Sequence, residues 1–299
     1  MSATEVSWEL YRSFLAVARQ GSLSGAARVL RLTQPTIGRH VDQLERMLGL
    51  PIFTRSPQGL TPTETARALI PIAEEMESAA QAMARTASAQ AGETAGVVRI
   101  TASEVIGVEV LPPILAELAD ARPALAFELN LTNRTEDLLR RDADIAVRMV
   151  RPTQSGLVAR RLGETMLGIY AHRRYLAGVA APRTLADVLA LRMIGFDRDP
   201  LPIAGLSQAG FDVTRHDFSL RTDNQLAQIA ALRVGYGVGI CQVGIARRDP
   251  DLVRLLPDAF ALPLETWLVM HEALRGSPRV RRTFDHLAIG LQAYLATSR

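Results

Sequence analysis

The chain reads as an α/β protein with an all-α-rich N-terminal domain, and three observations carry that reading. Residues 1–63 space their apolar side chains helically and end in two short strand-like pieces around a turn. Residues 64–91 form one segment rich in Ala, Glu, Met and Gln, all good helix formers, with apolar residues at heptad spacing. After a Gly-containing stretch at 92–96, strand-like and helix-like segments alternate over 97–299, the pattern of strands covered by helices. A length of 299 residues suits two domains better than one.

In the first zone Leu10, Phe14, Leu15 and Val17 define an amphipathic helix that ends at Gly21. Ser22 is placed to cap a second helix, Leu23 to Leu30, whose Ala26 and Ala27 permit close packing. Thr33 is placed to cap a third, with Pro35 tolerated in its first turn. There Ile37, Val41, Leu44 and Leu48 form one buried stripe, which leaves Gln34, Thr36, Arg39, His40 and Gln43 on the other faces. Beyond Gly49, the pieces at 51–55 and 60–61 flank Ser56-Pro-Gln-Gly, the pattern of a β-hairpin wing.

In the second zone Leu69, Ala73, Met76, Ala80, Met83 and Ala87 follow alternating spacings of 4 and 3. Two readings are open: a seam that needs a partner helix, or an amphipathic helix lying on its own domain. Pro71 inside it predicts a kink in the early turns.

In the third zone strands are predicted at 97–102, 126–131, 144–148, 167–171, 193–196, 219–222, 237–241 and 266–270. Helices are predicted at 110–118, 136–141, 184–190, 224–234, 242–247 and 278–296, with Ser103 opening a polar turn. Alternation of this kind predicts mostly parallel sheets, with length enough for two lobes and a ligand cleft between them.

Composition narrows the function classes. All 34 basic side chains are arginine, against 31 carboxylates, a formal charge of +3. Residues 1–65 hold seven arginines and five carboxylates, so the small local excess matters only according to where the arginines point. Arginine suits bidentate contact with phosphate and guanine. Cys241 is the single cysteine, which excludes an intramolecular disulfide, a cysteine-rich zinc site and a thiol pair within one subunit. Its apolar neighbours favour a buried small hydrophobe. A cytoplasmic protein is expected, because no leader pattern opens the sequence and no run approaches about 18 apolar residues. His40, His172, His216, His271 and His286 lack ligand spacing, and no nucleophile-elbow, zincin or Walker motif occurs. No metal, cofactor or catalytic residue is therefore expected. Gly235, Gly237 and Gly239 lack the dinucleotide-loop spacing and read as tight turns.

Residues 14–30 (Phe-Leu-Ala-Val-Ala to Arg-Val-Leu), 32–45 (Leu-Thr-Gln-Pro-Thr-Ile-Gly-Arg-His) and 48–55 resemble, in order and spacing, the helix-turn-helix of LysR-type transcriptional regulators. The resemblance implies a winged helix-turn-helix that binds double-stranded DNA, with the start of the third helix in the major groove. On that reading Thr33, Gln34, Pro35, Thr36 and Arg39 face DNA, Gln34 suiting adenine and Arg39 guanine or a phosphate. Ser22 and Ser24 suit phosphate anchoring, and Arg55 and Gln58 place the wing on the backbone or in the minor groove. His40 is open between a DNA contact and a merely exposed side chain. Gly38 departs from the family, where a serine is usual; the departure removes one hydroxyl and lowers helix propensity by about 0.5–1 kcal/mol.

Weaker matches continue through Val98 to Ser103, Leu111 to Ala116, Asp144 to Arg148 and Gly235 to Ile240. They resemble the same family's effector-binding domain, which implies a two-lobed, periplasmic-binding-protein-like (type 2) fold. Lobe 1 would hold about 97–163 and 267–299, and lobe 2 about 164–266. Ligands of such folds sit where strands end and helices begin. That rule selects Thr101, Ser103, Asn133, Thr135, Arg148, Phe196, Asp223 and Asn224. Arg148 is either a structural ion-pair partner or a ligand contact favouring an anionic effector. The resemblance implies a homodimer or homotetramer formed through the linker helix, an interrupted-dyad DNA site and a small-molecule effector. The rivals are a cytoplasmic solute-binding protein and an enzyme on the same two-lobed fold. The N-terminal helices oppose the first, and an isolated Cys241 opposes the second.

Overall fold

The structure is a computed structural model that describes residues 7–56, 59–90, 94–133, 143–152 and 156–298. It falls into two units, one made by the elements up to the long linker helix and the other by everything from the first strand of a large sheet onward.

The first unit contains α1 (Trp8–Gln20), α2 (Leu23–Leu30), α3 (Gln34–Leu48), β1 (Phe53–Ser56), β2 (Gly59–Pro62) and α4 (Glu64–Gln90). Its helix ends follow local chemistry. The Ser22 hydroxyl accepts from the Gly25 N–H at 3.1 Å and the Thr33 hydroxyl from the Thr36 N–H at 3.4 Å, each satisfying a free amide of a first turn. Gly21 and Gly49 close α1 and α3 in the left-handed region. Leu10, Phe14, Leu15 and Val17 pack against Ala26, Ala27, Ile37, Val41 and Leu44, and Phe14 meets Phe53 with ring centroids 5.7 Å apart. The β1–β2 hairpin is tied at two points. The Leu60 N–H donates to the Gly21 carbonyl at 2.7 Å, and Gly59, at φ +119°, comes so close that any Cβ there would collide with that oxygen. The Glu45 carboxylate accepts from the N–H groups of Ile52 and Phe53 at 2.8 and 3.3 Å, which fixes the end of α3 to the root of the hairpin.

Along α4 the predicted seam divides. Ala73 is buried and Leu69 half-buried on the core of the same unit, whereas Met76 is 37 % and Met83 70 % exposed. The first part of the helix thus lies on its own domain and the later part presents apolar side chains to solvent. The Ala87 side chain is outside the described residues.

The second unit runs β3 (Gly96–Ala102), α5 (Glu104–Glu109), α6 (Leu111–Ala121), β4 (Leu125–Leu131), β5 (Ile145–Arg148), β6 (Leu157–His172), α7 (Arg173–Leu176), α8 (Leu185–Leu189), β7 (Met193–Gly195), α9 (Pro200–Gln208), β8 (Phe218–Arg221), α10 (Gln225–Arg233), β9 (Val238–Gln242), α11 (Val243–Ala246), β10 (Leu252–Leu255), β11 (Leu262–His271) and α12 (Pro278–Ala296). The strands join in the order β4-β3-β5-β11-β6-β9-β7-β8, with β10 also on β6. This corrects the expectation of mostly parallel sheets. β3 with β4 and β5, and β7 with β8 and β9, are parallel, but β6 and β11 are antiparallel to every neighbour. The two strands are also far longer than the segments predicted at 167–171 and 266–270, because each passes from one half of the sheet to the other. In β6 the exposed Arg160, Arg161 and Glu164 flank the buried Leu162, and their charges mask strand alternation. At the passage the pairing slips between Thr266 and Trp267, opposite Gly163 at φ +146°, which makes a bulge that Gly accommodates.

Further differences are local. The polar turn expected after Ser103 is the short helix α5, and α6 begins only at Leu111. β10, α7 and α9 were not predicted, each being too short or too evenly apolar to show a period. The helix expected at 136–141 lies outside the described residues. α12 returns to the first half, where Leu287 and Leu291 are fully buried against the region of α6 and β3. No helix among the described residues is long and apolar enough to cross a membrane.

Leu44 has no exposed surface in the core shared by α1, α2 and α3. Leu44→Ala is expected to destabilise the first unit by about 2–5 kcal/mol, read from its urea unfolding midpoint.

Candidate nucleic-acid interface and ligand cleft

Burial of Ile37, Val41 and Leu44 turns the opposite side of α3 outward, so Gln34, Pro35, Arg39, Gln43 and Arg46 are exposed and Thr36 half-buried. Thr33 and Thr36 share a hydroxyl–hydroxyl hydrogen bond of 2.8 Å at the start of the helix. Ser24 is exposed and Ser22 is occupied as a cap. His40 is not merely exposed: its Nδ1 lies 2.7 Å from the fully buried Ser13 hydroxyl, which ties α3 to α1. The arginines separate into two groups. Arg12 pairs with Glu9, and Arg19 pairs with Glu74 and Glu77 of α4 at 3.2 and 2.9 Å. Arg28, Arg31 and Arg39 are exposed and form no ion pair among the described residues. The charge excess of this unit therefore sits on α2, the turn and α3. The Arg55 side chain and all of Gln58 fall outside the described residues.

In the second unit a cleft of about 300 Å3 opens between the two halves of the sheet. Of the predicted residues, Ser103, Asn133, Arg148 and Phe196 line it. Arg148 ends β5, is 4 % exposed, and donates to the Thr101 hydroxyl at 2.8 Å and the Val147 carbonyl at 3.1 Å. Thr101 is thus a holder of Arg148 and does not itself line the cleft. Ser103 occupies the N-cap position of α5, yet the Asn133 side chain accepts from the Glu104 N–H at 3.1 Å, and the Ser103 hydroxyl makes no cap bond. Asp223 and Asn224 do not line the cleft either. The Asp223 carboxylate gathers the N–H groups of Asp197, Arg198 and Asp199 at 2.9–3.3 Å, and Asn224 caps α10 through the Ala227 N–H at 2.8 Å. Thr135 is outside the described residues.

Residues that the strand-end rule missed complete the wall. Gln225 and Gln228 enter from the first turn of α10 and Gln242 from the end of β9, while Leu167, Ile240 and Leu264 supply an apolar floor. The Gln242 carbonyl oxygen accepts from the Tyr294 hydroxyl at 2.6 Å and the Thr165 hydroxyl at 3.5 Å, which leaves its amide N–H groups as donors. Cys241 also lines the cleft; burial pushes its thiol up to about 12, so it stays protonated and inert. One carboxylate, Asp199, stands at the exposed rim and caps α9 through the Leu201 N–H at 3.1 Å. The deep wall is thus donor-rich, with one buried guanidinium, and the rest is apolar. A small acceptor-bearing, anionic molecule with a hydrocarbon part fits that chemistry.

Behind the cleft, Glu109 of α5 and Arg233 of α10 form a bidentate pair at 2.7 and 2.9 Å that joins the two halves. The hydrogen bonds from Arg233 hold the Glu109 carboxyl below its usual range, against a smaller opposing effect of burial.

Comparison with known proteins agrees with this geometry. Residues 8–67 match the family described as bacterial regulatory helix-turn-helix protein, lysR family, and residues 91–292 match the LysR substrate binding domain. The Mau operon transcriptional activator of Paracoccus denitrificans is 33 % identical over 168 residues, which cover 56 % of this chain and 59 % of that protein. The chain thus matches less than two thirds of that activator's length. The regulator PtxR of Pseudomonas aeruginosa is 27 % identical over 285 residues, 92 % of this chain and 90 % of its own. Among solved structures, full-length CbnR complexed with its target DNA superimposes with a TM-score of 0.65 at 20 % identity, over 95 % of this chain and 99 % of that one.

Two outcomes are expected. Because the folded-state pKa of Glu109 lies below its unfolded value, its pairing stabilises above the ordinary carboxylate range and is lost as pH falls through the folded value. Glu109→Gln should therefore lose stability near neutral pH and show a flatter acid limb than the wild type in pH-dependent thermal unfolding. Gly38 has only Leu23 Cδ1, at 3.8 Å, near the place of a Cβ. Gly38→Ala should raise stability by about 0.5–1 kcal/mol by urea unfolding; a loss would mean the helix is strained there.

Proposed function

The chain belongs to the LysR family, and from that premise we propose that it is a cytoplasmic, non-enzymatic transcription regulator whose DNA binding is modulated by a small anionic effector. The observation that carries the reading is α3, capped by Thr33 and anchored by Ile37, Val41 and Leu44, with Gln34, Pro35, Thr36 and Arg39 on or beside its outward side. A helix N-terminus presented in this way enters the major groove and reads base edges, while neighbouring hydroxyls and arginines take phosphates. Ser22, Ser24, His40, Arg55 and Gln58 complete the proposed DNA surface. Arg28 and Arg31 join it because they are exposed without ion-pair partners.

Residues 1–63 act as the reading domain, 64–91 as the linker helix, 92–96 as a hinge and 97–299 as the effector-binding domain. The exposed Met76 and Met83 of α4 support a seam that a second copy covers, which gives a homodimer or a homotetramer. Two-fold symmetry then matches an interrupted dyad in the DNA. In the cleft Arg148 takes an effector carboxylate, and Ser103, Asn133 and Gln242 supply neutral hydrogen bonds. The walls come from both sides of the Gly163 bulge, so an effector that bridges them favours one closure state, and differential affinity for the two states is what shifts the DNA complex.

The deciding experiment is a salt titration of binding to the DNA upstream of the protein's own gene. Wild type should bind tightly and selectively, with log affinity falling linearly in log salt. Arg39→Ala should lose about 1–3 kcal/mol if it reads guanine, or flatten the salt slope by about one unit if it holds a phosphate. Equal, weak binding to random DNA by both proteins would remove the proposal. For the cleft, a panel of small carboxylates should raise the thermal midpoint of the wild type. Both Arg148→Gln and Ser103→Ala should lose the response, and an unchanged response in both would exclude the assigned site.

A further inference from the structure

A second cavity, of about 260 Å3, lies in the same unit and shares no residue with the cleft. Leu167 of β6 lines the cleft and Tyr170, three residues along the same regularly paired strand, lines this cavity, so the two face opposite sides of the sheet. Tyr170 and Arg254 are register partners across β6 and β10. Between them β6 carries Gly168, where a Cβ would lie 2.9 Å from Arg254 Nε and 3.1 Å from Tyr170 Cε2. The bare strand at Gly168 therefore leaves room for both the Arg254 guanidinium and the Tyr170 ring beside it.

Both polar groups are left over. Arg254 Nε is buried with no hydrogen-bond partner, and Arg254 forms no hydrogen bond or ion pair with any described residue. Tyr170 is only 4 % exposed, and its hydroxyl makes no hydrogen bond among the described residues. Burial raises the phenol above its usual value, so it remains a neutral donor. Arg247 stands at the rim and donates to the Thr297 carbonyl at 2.6 Å. The wall also contains Asp249, whose carboxylate accepts from the Asp251 N–H at 3.0 Å. Asp249 is the one carboxylate in the wall, and it already serves the backbone. Buried donors without acceptors are costly, and a guanidinium beside a hydroxyl matches an oxyanion in both charge and geometry.

We infer that this cavity is a second anion site, which holds a compact oxyanion group, phosphate or carboxylate, between the Arg254 guanidinium and the Tyr170 hydroxyl. Its volume limits the ligand to a small molecule, and Val243, Ala246 and Leu252 give any hydrocarbon part an apolar wall. β9 ends at Gln242 in the cleft and is followed directly by Val243 in this cavity, so the two sites share one strand end.

The test is isothermal titration calorimetry of the full chain with inorganic phosphate and, separately, acetate, in chloride buffer at constant ionic strength. At least one anion should give saturable binding, and which one binds tighter tells phosphate from carboxylate. That binding should persist in Arg148→Gln, which disables the cleft, and weaken about tenfold or more in Arg254→Gln. Tyr170→Phe, which removes a single oxygen, should also weaken it and covers the case in which Arg254→Gln does not fold. Absence of saturable heat with both anions, undiminished binding in Tyr170→Phe, or loss of binding in Arg148→Gln would each overturn the second site.

Discussion

The second unit depends on one ladder, the ten register pairs between β6 and β11. These are the strands that pass from one half of the sheet to the other, and the cleft hangs on them. Trp267 of β11 pairs with Arg148, the buried cation of one wall, and Leu167 of β6 pairs with Gln242, the amide donor of the other. The bulge at Gly163 and Thr266 sits between these attachment points. Backbone hydrogen bonds make each half stiff, and the bulge concentrates the available twist in one place. The Glu109–Arg233 pair spans the same passage from behind. Effector binding, as proposed, acts on a joint whose position is already set by backbone pairing.

A comparable economy holds in the first unit. The proposed reading of DNA needs the exposed side of α3 and the hairpin to be held together, and two contacts do so. Glu45 accepts from the amides that open β1, and Gly21 meets Gly59 too closely for a side chain. Ion pairing then sorts the charge. Arg19 is spent on Glu74 and Glu77, which ties α1 to the linker helix, while Arg28, Arg31 and Arg39 stay available to a polyanion. A net charge of +3 says little about this; the sorting says more.

Polar residues near a helix start are shared between two uses, and that division governs the cleft. Asp223 and Asn224 have the right chemistry and lie at a strand end, but free backbone amides claim both side chains. The next turn, Gln225 and Gln228, reaches the cavity instead. At the opposite wall the order is reversed: Asn133 takes over the cap of α5 from just beyond the end of the neighbouring strand β4, so Ser103 keeps its hydroxyl. Capping is short-range, so one sequence holds both possibilities, and only the approach of a distant residue chooses between them.

The sequence by itself determined the helical reading domain, its caps at Ser22 and Thr33, the buried stripe of α3, the alternating second domain and the family. Each of these rests on contacts within a few residues, where period and capping chemistry are visible. It also located Ser103, Asn133, Arg148 and Phe196 near strand ends, which is where they line the cleft. Only the tertiary structure decided that β6 and β11 cross between the halves, that His40 is held by Ser13 and Arg148 by Thr101, and that Gln242 faces the cleft with its oxygen engaged by Tyr294. The second cavity is of the same kind, since Gly168, Tyr170 and Arg254 meet only because β10 lies on β6. The partners in these arrangements lie far apart along the chain or on different strands. Their encounter depends on sheet register and long-range packing, which no local periodicity encodes.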